Sequence, residues 1–479
     1  MLHHHHPHHN SKMTISTPPH FILFPFMSQG HTTPLLHLSR ILSDRHISIT
    51  IITTPTNYST IKTTIQNHPI SVINIPFPDT PPSIQVTETQ TCMTSFYAFV
   101  NSTQQLQPRF EEVVRSLHPV TCIISDGFLF WTQDSAEKLG IPRLVFYGMN
   151  IFSMTMYNIM GQLKPHAAVD SDDEAFVVPD FPRIKLTGND FDPPLSEIDR
   201  IGLSLEFVVR AQEAMVRSHG MVVNSFYELE PEFSDYWNRN YGPKAWLVGP
   251  FCVAKPPSSL ALIKKVEKRE WIQWLDMKLA TNEPVLYVSF GSQAEASTKQ
   301  LLEVAIGLEQ SNISFMWVVK PKQLQLIGEG FEERVKGRGK VVAKWVDQIE
   351  ILNHETVCGF LSHCGWNSVL ESMCASVAIL AMPLMAEQHL NARMVVEEIG
   401  MGLRLWPRNM APRGVVEAEE VAKMVVELME GEGGKRVRKR VKEVSKCAYG
   451  AMEEGGSSSR TLDLLIDHVC GEGANKVFK

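Results

Sequence analysis

Short apolar runs rich in β-branched residues recur along this chain, each followed by a turn and a helical stretch. That alternation limits the fold more than any other feature. Strands separated by helices run parallel in one sheet, so the pattern specifies an α/β chain with sheets covered on both faces. In the first half His20–Phe26 reads as a buried strand, Met27–Thr33 as a turn and Pro34–Leu42 as a helix with proline in its first turn. Ile47–Thr53, Thr121–Ser125, Arg143–Phe146, Met221–Asn224 and Trp246–Val248 read as further strands, and Phe130–Leu139 as a helix. Residues 160–210 are Asp- and Pro-rich without a period and read as long loops and short helices shaping a pocket. A second series follows, with strands at Val285–Ser289, Phe315–Val319, Val341–Ala343, Val357–Ser362 and Ala378–Ala381. Thr298–Leu308, Asn367–Ala375 and the tail 435–469 read as helical.

At 479 residues the chain is too long for one core. The expected division is a His-rich leader over 1–19, an N-terminal domain over 20–250 and a linker over 251–270. A second domain spans 271–455, and a C-terminal helix over 456–479 packs back on the first. The architecture is two doubly wound, Rossmann-like halves facing a cleft, where ligands bind at the carboxyl ends of the strands. The leader, MLHHHHPHHNSK, is given no part in the fold.

A net charge of −7 and a pI near 6.2 argue against a nucleic-acid surface. The eight cysteines are scattered without a paired framework, which fits free thiols in a reducing compartment. With no apolar run long enough to span a bilayer, a cytoplasmic monomer is the expectation.

In the second half, Ser362-His363-Cys364-Gly365-Trp366-Asn367-Ser368 runs from a strand into a helix. Gly365 permits a tight turn, Asn367 or Ser368 can cap the helix, and the helix N-terminus suits a phosphate. Trp345 follows a strand directly, where an indole can stack on a flat base. Glu371 lies one turn beyond Asn367 on the same helix face and can accept from ribose hydroxyls. Glu387 and Gln388 follow another strand, and Ser292 follows the strand that ends in Ser289-Phe290-Gly291. Taken singly these are an ordinary capped helix, a core tryptophan, a solvated glutamate and a strand-ending turn; occurring together they favour a ligand site.

In the first half, His31 lies in Phe-Met-Ser-Gln-Gly-His-Thr-Thr-Pro, read as a loop between strand and helix, a place for a general base. Asp126 ends an apolar strand, where its carboxylate can orient that imidazole or, more plainly, cap a turn.

The run Trp345–Gln388, 44 residues long, resembles the signature box of plant secondary-product glycosyltransferases, UDP-sugar enzymes of the GT-B fold. The QGH-x-x-P loop around His31 and the S-D-x-F-x-x-W strand end around Asp126 are similar to that family's catalytic elements. The resemblance extends over nearly the whole chain from about His20. It implies that Trp345 stacks on uracil, that the Val346 backbone and Gln348 contact the nucleoside, and that Glu371 holds the ribose. It places His363, Trp366, Asn367 and Ser368 at the diphosphate with Gly365 and Ser292 beside them, and Glu387 and Gln388 at the hexose. Gln388 implies UDP-glucose as co-substrate. Asp347, Ser376, Ala378 and Met382 depart from the usual box. By the same resemblance His31 deprotonates an acceptor hydroxyl, Asp126 steadies the imidazolium, and glucose moves with inversion. No metal motif is read and no cofactor is expected beyond the UDP-sugar, since a helix N-terminus and neutral donors can meet the leaving-group charge.

Phe26, Phe96, Phe128, Trp131 and Phe146 are candidates to line the acceptor pocket. A flavonoid or other planar phenolic is the leading acceptor class, with a terpenoid or hormone next. A nicotinamide oxidoreductase would need G-x-G-x-x-G between strand and helix, which no strand here provides. A UDP-sugar-binding protein without catalysis is disfavoured by the presence of both His31 and Asp126. A zinc site at Cys358, His363, Cys364 and Cys374 lacks the paired cysteine spacing.

Overall fold

The computed structural model describes residues 18–78, 93–197, 202–254, 269–328, 330–405 and 414–476. The leader as far as residue 17 and the linker over 255–268 lie outside the described residues. The first half contributes β1 (His20–Phe24), β2 (Ser48–Thr53), β3 (Ile70–Asn74), β4 (Cys122–Asp126), β5 (Arg143–Phe146), β6 (Phe176–Val178), β7 (Phe181–Leu186), β8 (Gly220–Val223) and β9 (Ala245–Leu247). Seven of these form a parallel sheet in the order β3-β2-β1-β4-β5-β8-β9. The second half contributes β10 (Val285–Ser289), β11 (Ser314–Val318), β12 (Gly339–Val342), β13 (Val357–Ser362), β14 (Ala378–Ala381) and β15 (Gly402–Arg404), ordered β12-β11-β10-β13-β14-β15 and again parallel.

Each order reverses direction once, between β1 and β4 in the first sheet and between β10 and β13 in the second. Connections leave to opposite sides at those points and open a crevice at the carboxyl edge. Phe24 pairs with Ser125 across the first reversal, and Ser289 with Ser362 across the second. The loops that follow are those carrying His31, Asp126, Ser292 and His363.

Side chains on both faces explain why the strands are apolar throughout. On one face of the first sheet Phe21, Leu23, Ile49 and Ile124 pack with Leu35, Leu38 and Ile41 from helix Gln29–Ser43. The same cluster takes in Leu462, Leu465 and Val469 of helix Ser457–Lys476. Ser458 Oγ donates to the Gly249 carbonyl at 2.6 Å, and Arg45 pairs with Asp463 at 2.9 Å, so the last helix lies on the first half. On the opposite face Phe24, Phe26, Phe110, Trp131 and Phe207 form an aromatic layer.

Two readings of the sequence are corrected. Residues 160–210 are not loop and short helix alone: they hold the antiparallel pair β6–β7, and helix Leu203–Val216 begins among them. The first helix starts at Gln29 rather than Pro34, behind an extended Ser28, so His31 lies in its first turn and Pro34 inside it. Cys252 and Cys374, both free thiols as the sequence implied, bring their Sγ atoms within 3.6 Å across the two halves. Among the described residues no helix is long and apolar enough to cross a membrane.

The turn after helix Trp366–Cys374 holds Ser376 at φ +59°, a left-handed backbone that disfavours any side chain. Ser376→Gly should therefore stabilise the chain by about 1 kcal/mol, seen as a higher urea midpoint at unchanged slope.

Candidate active site

The acid–base pair forms because two neighbouring strands end together. Asp126 closes β4 and is fully buried. Its Oδ2 lies 2.7 Å from His31 Nδ1, and its Oδ1 accepts the Phe128 amide at 2.9 Å. The turn-capping and imidazole-orienting readings of Asp126 are thus both satisfied, one by each oxygen. A carboxylate at Nδ1 selects the tautomer in which Nε2 is the basic nitrogen.

Behind Asp126 stands a residue that the sequence gave no reason to single out. Arg143, at the start of β5, is fully buried, with Nε on Ser125 Oγ at 2.7 Å, Nη1 on Ser218 Oγ at 2.8 Å and Nη2 on the Asp126 carbonyl at 3.3 Å. Burial lowers its pKa to about 10, which leaves it cationic at neutral pH beside the Asp126 charge. An arginine opening an otherwise apolar strand was the only available signal.

His31 is flanked by aromatic rings, Phe26 at 5.7 Å and Phe128 at 4.9 Å between centroids. Phe96 and Phe207 extend the group through Phe128, at 5.9 Å and 5.2 Å. Three of the proposed pocket residues are core instead, Phe26 being fully buried in the aromatic layer under His31. Trp131 is sealed with its indole N–H on Thr103 Oγ at 3.0 Å, and Phe146 packs on Phe251.

Across the cleft the loop after β13 departs from the expected turn. The left-handed residue is Cys364 (φ +63°), not Gly365, and Gly365 rather than Asn367 or Ser368 occupies the cap position before helix Trp366–Cys374. Glycine is required at 365 for another reason: a Cβ there would come within 2.6 Å of His363 Nε2, as would one at Gly291. The imidazole is therefore clasped between the two loops of the β10/β13 crevice. Burial lowers its pKa to about 4, so it meets an anion as a neutral group. Ser292, next to Gly291, is exposed.

Trp345 is 67% exposed, although Val346 beside it is buried. An indole so bare at a strand's end is a free stacking face. Gln348 ties the region together, donating from Nε2 to Ser368 Oγ at 2.9 Å and to Glu371 Oε2 at 2.7 Å while Tyr287 donates to its Oε1 at 3.2 Å. Glu371 is half-buried and lines a small cleft with Thr33, Pro34, His37, Asn224 and Asn367. Gln388 Oε1 accepts the amides of Leu384 and Met385, both at 3.1 Å, which leaves its NH2 as the donor. Glu387 lies close enough to His31 for their charges to interact, and burial raises its pKa.

Trp366 differs from its expected role. Its indole is buried and donates to the Asn224 carbonyl at 2.8 Å, so it joins the two halves and only its backbone faces the loop. Asn391, unnoticed in the sequence, is fully buried behind the same loop. It donates to the Cys364 carbonyl at 3.0 Å and accepts from Asn150 at 2.8 Å and Ser153 at 3.0 Å in the first half. The chain also holds an Asp-x-Asp pair that the sequence reading passed over. Asp190 is occupied by Arg393 Nε at 2.7 Å and Asp192 by the Ala386 amide at 2.5 Å.

An exposed indole, a carboxylate and a helix N-terminus in one Rossmann-like half, opposed by a carboxylate-held imidazole in the other, stand on two halves of the GT-B type. Comparison with known proteins gives the family. The profile described as UDP-glucoronosyl and UDP-glucosyl transferase matches residues 269–427. UDP-glycosyltransferase 90A1 of Arabidopsis thaliana is 46% identical over 474 residues, covering 96% of this chain and 98% of its own. UDP-glucose flavonoid 3-O-glucosyltransferase 7 of Fragaria ananassa is 35% identical, covering 94% and 96%. Among solved structures, Glycyrrhiza uralensis UGT73P12 complexed with glycyrrhetinic acid 3-O-monoglucuronide aligns with a TM-score of 0.84 at 31% identity, covering 96% of this chain and 97% of that one. Phytolacca americana UGT2 complexed with UDP-2fluoro-glucose and pterostilbene aligns at 0.78 and 29% identity, covering 94% and 99%. The chain belongs to the plant family 1 UDP-glycosyltransferases and is an enzyme of the UDP-glucosyltransferase type.

Burial pushes the Glu371 carboxyl up from its ordinary 4.5 to about 7, partly offset by the Gln348 hydrogen bond. Between those values the unfolded chain ionises before the folded one, so the ligand-free protein loses stability as pH rises from 4.5 through 7. Glu371→Gln removes that dependence. Its thermal midpoint should fall no further behind, and instead gain on the wild type, as pH is raised through this window.

Proposed function

We propose that the protein transfers glucose from UDP-glucose to a hydroxyl of a planar phenolic acceptor, with inversion at the anomeric carbon. The observation that carries this reading is the 2.7 Å contact between His31 Nδ1 and Asp126 Oδ2 at the crevice facing the donor loop. In the proposed step His31 Nε2 takes the proton of the acceptor hydroxyl. The acceptor oxygen forms a bond to C1 of glucose, the bond from C1 to the β-phosphate oxygen breaks, and UDP leaves with the electron pair. Asp126 then offsets the charge on the imidazolium, with Arg143 holding its strand end. The product is a β-glucoside.

On the donor side the bare Trp345 indole is the surface for uracil, with the Val346 backbone and Gln348 against the nucleoside. Glu371 takes the ribose hydroxyls. Ser292, neutral His363, Asn367, Ser368 and the backbone of Gly365 and Trp366 surround the diphosphate, where the helix N-terminus favours negative charge. Glu387 and the NH2 of Gln388 meet the hexose, and Gln388 supports glucose as the sugar. No cofactor beyond the donor enters this reading. The partly buried rings of Phe96 and Phe128, backed by Phe26 and Phe207 in the core, support a flat aromatic acceptor, since rings stack edge-to-face or offset at such spacings. The flavonoid 3-O-glucosyltransferase relative and the pterostilbene-bound structure support the same class. We place the enzyme in the cytoplasm as a monomer, on its free cysteines and the charge balance of the chain.

His31→Ala should lower transfer to a phenol by about 10²–10⁴-fold, the usual worth of a general base, with UDP affinity by calorimetry unchanged. Full activity in that variant would remove His31 as the base. Trp345→Ala should weaken UDP binding by about 1–3 kcal/mol, the worth of stacking one base, while leaving the thermal midpoint in place because so much of the ring is already in solvent. A panel of UDP-sugars against phenols and terpenoids decides the two remaining identities. Preference for another donor sugar would overturn the inference from Gln388, and a terpenoid preference the one from the phenylalanines.

A further inference from the structure

Helix Gln29–Ser43 lacks one donor in its first turn. A helical carbonyl is ordinarily met by the N–H four residues on. Four residues beyond Gly30 stands Pro34, inside the helix, and proline has no N–H. The Gly30 carbonyl therefore lacks that partner, and the structure supplies one from the opposite half: Asn367 Nδ2 donates to Gly30 O at 2.6 Å. Gly30 is exposed, and a Cβ built on it would meet nothing within 4 Å, so packing on that side does not force the approach. The hydrogen bond holds it. Its two ends are chosen by chemistry at both sites, since Gly30 precedes His31 and Asn367 lies in the first turn of the helix behind the donor loop.

We propose that Asn367 is a positioning residue for His31, and that Pro34 serves the reaction by leaving the Gly30 carbonyl open to it. The contact sets the distance between the imidazole and the donor loop, and so between the attacking oxygen and the anomeric carbon. Neither Pro34 nor Gly30 need touch a substrate. An N–H at position 34 would bring an intrahelical donor to the same oxygen and loosen the bond from Asn367. The kinetic side of this inference rests on the glycosyltransferase reading, whereas the contact itself does not.

The test uses Pro34→Ala, Asn367→Ala and the double variant in the full-length protein. Replacing an interior helical proline by alanine favours the helix, so Pro34→Ala should fold, as thermal denaturation will verify. In the absence of substrate, hydrogen exchange of the amides at 29–33 should speed up in Asn367→Ala. With UDP-glucose and a phenol, Pro34→Ala should lose about two- to tenfold in kcat, the worth of one hydrogen bond, with UDP affinity retained. In the Asn367→Ala background the Pro34 substitution should add nothing, because both act on one bond. Equal kcat losses from Pro34→Ala in the two backgrounds would overturn the proposal, as would unchanged exchange at 29–33 in Asn367→Ala. Absence of transfer by the wild-type protein would instead overturn the glycosyltransferase function and leave the exchange result to decide the contact.

Discussion

A parallel sheet whose connections leave one strand to the left and its neighbour to the right has a gap between them at its carboxyl edge, and packing on the faces cannot close it. This chain has that gap twice, between β1 and β4 and between β10 and β13. Each is filled with polar side chains that would be costly anywhere deeper. The strands around them are apolar on both faces, which is why the chemistry-bearing residues stand out as the first polar groups after runs such as Phe-Ile-Leu-Phe and Cys-Ile-Ile-Ser. The two gaps face each other, and the reaction needs nothing more from the topology.

Keeping a carboxylate fully buried beside a half-exposed imidazole demands compensation. An unpaired charge in that position would cost several kcal/mol. The first sheet answers with a second buried charge, Arg143, whose guanidinium is itself held by two hydroxyls and the Asp126 carbonyl. The result is a fixed array of dipoles and charges behind the His31 ring. The second half uses the opposite device: His363 is kept neutral by burial, and charge there is left to backbone amides and the helix end.

The order of strands and helices was legible because apolar strands and helical periods differ in length and spacing, and the residues at the strand ends stood out by occurring together and by resemblance to the family's signature box. Arg143, Asn150, Asn224, Asp192 and Asn391 could not. The last four act through partners in the other half and Arg143 through Ser125, Asp126 and Ser218 on neighbouring segments of the fold, and no local pattern marks such pairs. The start of the first helix was misplaced because Pro34 is the strongest local signal for a helix beginning. Its cost inside the helix is offset by Asn367, which lies 337 positions along the chain. Phe26, Trp131 and Phe146 were misjudged as pocket residues for a related reason: an apolar ring at or shortly after a strand end has the same sequence signature whether it turns to the cleft or to the core. Ser376, which departs from the usual box, sits in a left-handed turn that explains why glycine is commonly found there.

The last helix, Ser457–Lys476, returns to the first half after the chain has built the second. The halves are therefore joined by two covalent crossings rather than one. Two separated crossings restrict how one half can shift against the other more than a lone linker would.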